Sequence, residues 1–142
     1  MAYTRRETIL AAMRTALTGT TGVSTRIYRS RVEALSRAET PAILIEPVQD
    51  QPTLVAVNRL HWDLTVRVSV VVRGAIPDQV ADPIIEDLHR KLLADKSLGG
   101  YAQDLTAGPV SWQLVDGDQP VGLVSCDYRV QYRTTEANLT TT

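Results

Sequence analysis

Cysteine and histidine are scarce in this chain of 142 residues, which has one cysteine, Cys126, and two histidines, His61 and His89. A single cysteine excludes an intramolecular disulfide and a zinc site built on several thiolates. It suits a reducing compartment, where the Asn138-Leu139-Thr140 glycosylation pattern has no meaning. Long apolar runs are also missing; Val70-Val71-Val72 is typical, against the roughly 20 residues a membrane-spanning helix needs. Arg5 and Arg6 have no apolar h-region behind them, so no secretory signal is expected. No Gly-x-Ser-x-Gly elbow, Walker loop or Gly-x-Gly-x-x-Gly turn occurs. A strong basic excess is lacking too: the net charge is −1 and the pI about 6.1, which argues against general nucleic-acid binding through a basic surface.

What is present is an ordinary globular composition, 44% apolar and 22% charged, enough for one domain with a real core. The charge is uneven. Residues 1–40 carry seven arginines against Glu7, Glu33 and Glu39, a net +4; residues 41–142 carry eight bases against thirteen acids, a net −5.

Ile9, Met13 and Leu17 recur at helical spacing, which predicts a helix over about residues 4–18. Thr4 and Glu7 read as its capping box, and Gly19 and Gly22 as its end. A short strand is expected at Thr25–Arg29 and a turn of helix at Val32–Ser36. Pro41–Pro47 reads as a buried strand fenced by prolines, followed by a turn at Gln49–Pro52. Trp62, Leu64, Val66, Val68, Val70 and Val72 alternate with mostly polar residues, predicting a long strand with one buried face, extended backwards by Leu54–Leu60. A second helix is expected from about Asp78 to Lys96, secure only from a cap at Asp82, because Pro83 suits a first turn. Gly99-Gly100 should stop it. Two strands follow, one around Val110, Trp112 and Leu114 and one from Val124 to Tyr132, joined by a hairpin loop at Asp116–Pro120. Residues 1–133 are expected to form a single α+β domain, mostly antiparallel with both helices on one face, and residues 134–142 a frayed tail.

Few groups carry chemistry. Glu86 and His89 have the spacing of one helix face, but a metal site would need more carboxylates, and a solvated face is the simpler reading. His61 and Asp63 share the polar face of the long strand. Cys126 falls on an apolar strand face, where a thiol is inert. Arg26, Arg29, Arg31 and Arg37 are the densest basic group; they suit phosphates, acids on a neighbouring copy, or solvent. A basic front and acidic remainder suit head-to-tail assembly into rings. We expect Arg26, Arg29 and Arg31 of one subunit to face Asp78, Asp82 and Glu86 of the next.

The order of these elements resembles the tail terminator (tail completion) proteins of long-tailed bacteriophages. The residues carrying the resemblance are Arg26-Ile27-Tyr28-Arg29, Pro41–Ile45, the alternating strand Trp62–Arg73, and a helix end with Leu92, Asp95 and Leu98-Gly99-Gly100 at fixed spacing. The resemblance covers nearly the whole chain and implies an α+β subunit of a hexameric ring at the head-tail junction of the virion, assembled in the host bacterial cytoplasm. Such a ring ends tail-tube polymerisation and offers a docking surface to head-completion and neck proteins. DNA passes through its lumen unread. It implies no catalytic residue, no metal, no cofactor and no membrane partner. The alternatives from the residues alone are another connector, head-completion or tube protein, a nucleic-acid-binding module, or a small ligand-binding domain or enzyme.

Overall fold

A computed structural model describes residues 3–31, 34–116 and 119–141. The elements are α1 (Arg5–Leu17), β1 (Ile27–Arg29), a 3-10 turn (Arg37–Glu39), β2 (Ala42–Ala56), β3 (Arg59–Arg73), α2 (Pro77–Leu93), β4 (Asp104–Val115) and β5 (Val121–Thr135). The five strands form one sheet in the order β1-β2-β3-β5-β4, and only the β1–β2 pair is parallel. The fold is therefore α+β, as expected.

The alternation in β3 sets the two faces. Leu64, Val66, Val68, Val70 and Val72 are fully buried, sharing one core with Ile9, Met13 and Leu17 of α1 and Ile84, Leu88 and Leu92 of α2. Both helices thus cover the same face. The other face carries polar side chains such as Arg67, which donates to Asp127 at 3.1 Å. Near the strand ends, Ser69 and Val71 are buried on that second face too, where Leu35 lies close and its carbonyl accepts from Arg73 at 3.2 Å.

Several boundaries depart from the sequence reading. Half of the expected capping box forms: Thr4 Oγ1 accepts from the Glu7 amide at 3.2 Å, but the Glu7 carboxylate goes to Arg29. A helical turn falls at Arg37–Glu39, after the described part of the expected one, residues 34–36, because Glu39 accepts from the Ser36 amide at 3.0 Å and fixes the start there. Val32 and Glu33 lie outside the described residues, as do Gly117 and Asp118 of the hairpin loop.

The expected turn at Gln49–Pro52 does not occur. β2 runs through it to Ala56, and the chain reverses at Val57-Asn58, with Asn58 at φ +61°. Prolines are tolerated there because β1 pairs only with Ile43–Ile45, so the outer side of β2 beyond them needs no donors. A bulge between Pro47 and Gln49 absorbs the irregularity.

α2 begins at Pro77, within a residue of the expected start near Asp78 and not only from a cap at Asp82, with Pro77 in its first turn and Pro83 inside it, and it ends at Leu93, short of Lys96. Pro83 is exposed, so the carbonyl left without its donor stays near water. The early turns hold because Pro77 sits over Gly122, where a Cβ would come within 2.5 Å of the Pro77 side chain. The segment from Thr134, expected as a tail, makes contacts with the domain. Thr134 is buried in β5, and residues 136–141 turn back so that Leu139 accepts from the Arg5 amide at 2.8 Å. Asn138 supplies the turn by accepting from the Thr140 amide at 3.0 Å.

Candidate functional site

The arginines singled out in the sequence are engaged within the chain. Arg26 donates to the Pro41 carbonyl at 2.8 Å and the Gly22 carbonyl at 2.6 Å. Arg29 grips Glu7 with two bonds of 2.5 and 3.0 Å. Arg31 grips Glu39 with bonds of 2.7 and 3.0 Å, and its guanidinium lies 4.7 Å from the Tyr28 ring centroid. The hydrogen bonds from Arg29 hold the Glu7 carboxyl below its ordinary value, and those from Arg31 hold Glu39 down at about 2. The basic front is therefore a staple joining α1, β1 and the loop before β2. Asp78, Asp82 and Glu86 are exposed on α2, and Glu86 accepts from Arg90 at 3.3 Å. The structure does not bring the two groups together within one chain; Arg29 and Arg31 pair with Glu7 and Glu39, whereas Arg26 donates to neutral carbonyls and keeps its charge.

The groups weighed for chemistry also have structural partners. His89 Nδ1 lies 2.9 Å from the Tyr128 hydroxyl, so the ring turns towards the sheet and away from a shared ligand with Glu86. His61 stands 3.9 Å from Asp63. Burial pushes the Cys126 thiol up to about 11, well away from thiolate reactivity. Among the described residues, no three His, Cys, Asp or Glu side chains converge as a metal site would require, and no helix is long and apolar enough to cross a membrane.

A cluster that periodicity missed centres on Asp50. The bulge at Pro47/Gln49 shifts the parity of β2, so Asp50 pairs with Leu64 on the helix-covered face. Its side chain is only 8% exposed. One carboxylate oxygen accepts from Arg6 Nε at 2.6 Å and from the Tyr132 hydroxyl. Tyr132 stacks on Trp62 with ring centroids 6.1 Å apart, and Trp62 Nε1 donates to Thr134 Oγ1 at 2.9 Å. Burial, then the bond to Asp50, pushes the Tyr132 hydroxyl well above its ordinary value. The arrangement ties the start of α1 to the far half of the sheet. Two prolines around Val48 were the only signal of the bulge.

Two groups of exposed apolar side chains lie on the sheet itself. β4 is an edge strand, and after a bulge between Ala107 and Val110 its residues Val110, Trp112 and Leu114 sit on the helix-covered face, opposite Cys126, Val124 and Gly122. The helices do not reach them: Trp112 is 61% and Leu114 67% exposed. No charged residue stands between Asp104 and Asp116. The second feature is the end of the β2–β3 hairpin, with Leu54, Val55 and Val57 exposed, Val57 at 98%. No charged residue stands between Asp50 and Arg59. Uncharged edges of this kind template pairing with another chain.

No family model and no curated protein matches this chain.

Proposed function

We propose that this chain is a structural subunit of a long-tailed bacteriophage, a tail terminator that assembles as a ring, hexameric in the family it resembles. The ring caps the head-proximal end of the tail tube, stops its growth and presents a surface to head-completion and neck proteins. It acts in the virion, at the head-tail junction, with DNA passing through its lumen unread, and it performs no catalysis and holds no cofactor. The observation that carries this reading is the uncharged, exposed β4 edge, with Trp112 and Leu114 left in water on the face that the helices cover elsewhere. A monomer gains nothing from such an edge, whereas an assembling subunit needs one. The element order supports the same reading.

The test is mass by light scattering, with negative-stain imaging of the same fractions, on purified protein alone and mixed with tail tubes. A closed ring in solution, or a monomer that closes into one on tube ends, is the expected result. Open-ended tubes from the protein alone would make it a tube subunit instead. A monomer inert towards tubes would overturn the assembly reading.

A further inference from the structure

Resting on that reading, we propose that the ring contact is made by the β2–β3 hairpin end of one copy, residues 53–57, docking on the β4 edge of the next copy, beside the start of α2. Both surfaces have the same unmet need. Each is extended, apolar, uncharged and exposed. Residues 53–57 and 110–115 also lack proline, whereas the middle of β2 is guarded by Pro47 and Pro52 and the β4 bulge by Pro109. The unguarded stretches are therefore two short segments, not whole edges.

Their placement decides who covers whom. Trp112 pairs with Val124, which pairs with Val70, which pairs with Ile43. The hairpin end lies at the other end of the strands, where Ala56 pairs with Arg59 and Arg59 with Thr135. Ile43 and Ala56 lie on one strand, about 40 Å apart at roughly 3.3 Å per residue. The two surfaces thus occupy opposite ends and opposite flanks of one rigid sheet, and a copy cannot fold its own hairpin onto its own β4. Only a second copy satisfies both, through a head-to-tail contact, the type that closes into rings.

Charge complements the fit. Arg59 and Arg133 are exposed near the hairpin end, and neither enters an ion pair among the described residues. Asp78 and Asp82 are exposed on the first turns of α2, which Pro77 anchors over Gly122, the partner of Leu114. The acidic side of the contact is thus the one expected from the sequence, while the basic side moves from Arg26, Arg29 and Arg31 to the hairpin end. A two-fold pairing of β4 with β4 would cover Trp112 but leave the hairpin in water and stop at a dimer.

The experiment uses the full chain with Trp112→Glu and, separately, Val57→Asp, under whichever condition gives a wild-type ring, alone or on tubes. Both residues are exposed, so each variant should keep the wild-type circular dichroism and melting curve. Each should weaken association about thirtyfold or more, the effect of losing an interface anchor worth about 2 kcal/mol. A Val57→Cys chain mixed with a Trp112→Cys chain should form a disulfide-linked heterodimer on mild oxidation, with Cys126 shielded by burial. Rings that form undisturbed in both variants would overturn this contact and leave the terminator reading standing. A Trp112→Cys chain that cross-links only to itself would replace it with the β4 two-fold. A wild-type chain that never associates, even on tubes, would overturn the contact and the terminator reading together.

Discussion

Asp50 accepts two hydrogen bonds on one oxygen while its other oxygen is buried without a partner among the described residues. Removing a donor and removing the carboxylate are therefore different experiments. Tyr132→Phe takes one donor from a carboxylate that keeps Arg6, and should cost about 1 kcal/mol. Asp50→Ala leaves the Tyr132 hydroxyl buried and unpaired, and should cost about 1–3 kcal/mol. Urea melts order the two; equal losses would mean that Asp50 contributes through Tyr132 alone. The glutamates make a pH prediction. Glu39 is held at about 2 by Arg31 and Glu7 is lowered by Arg29, each against an ordinary value of 4.5. A depressed carboxyl stabilises fully above its unfolded value, and that contribution is lost as pH falls through the folded one. Between about 4.5 and 2, then, the staple on β1 should release first. Amide exchange read by NMR should show Ile27–Arg29 losing protection before β3 and β5. Simultaneous loss would show that the staple does not hold β1.

At the scale of elements, what was legible depended on how many constraints a segment met at once. β3 and the core stripes of both helices were readable because burial imposes one period on them. The β2 turn was misplaced because Pro47 and Pro52 read as breakers, and nothing local reveals that the neighbouring strand ends at Arg29. The start of α2 near Asp78 was legible, but what secures the turns before Asp82 was hidden for a similar reason: it depends on Gly122, forty-five residues beyond Pro77, having no side chain. Gly122→Ala should force Pro77 away and cost about 1–3 kcal/mol, as overpacking does. The loss should appear as a lower Tm, with faster amide exchange confined to the first turns of α2. A neutral substitution would show that Pro77 yields freely and that the packing does not fix where α2 begins.

Across the whole molecule, the charge asymmetry was legible but its meaning was not. Composition showed a basic front; only the fold reveals that Arg29 and Arg31 pair with Glu7 and Glu39 within the chain, while Arg26 donates to backbone carbonyls. The apolar edge was likewise present in the sequence as the uncharged stretch before Asp116, yet alternation alone says only that Val110, Trp112 and Leu114 share one face of a strand. They do occupy the core face, and the helices stop short of them. An edge left bare in this way protects a protein poorly before assembly, since its free backbone groups pair with any strand. A single lysine there should act as a gatekeeper. Leu114→Lys should slow aggregation of the unassembled chain at high concentration, followed by turbidity, while moving stability by no more than about 0.5 kcal/mol, as for an exposed site. The same change should weaken ring formation, because the residue that endangers the monomer is the one the neighbouring copy covers. A marked loss of stability in the monomer would instead place Leu114 in the packing of its own subunit and remove it from the contact.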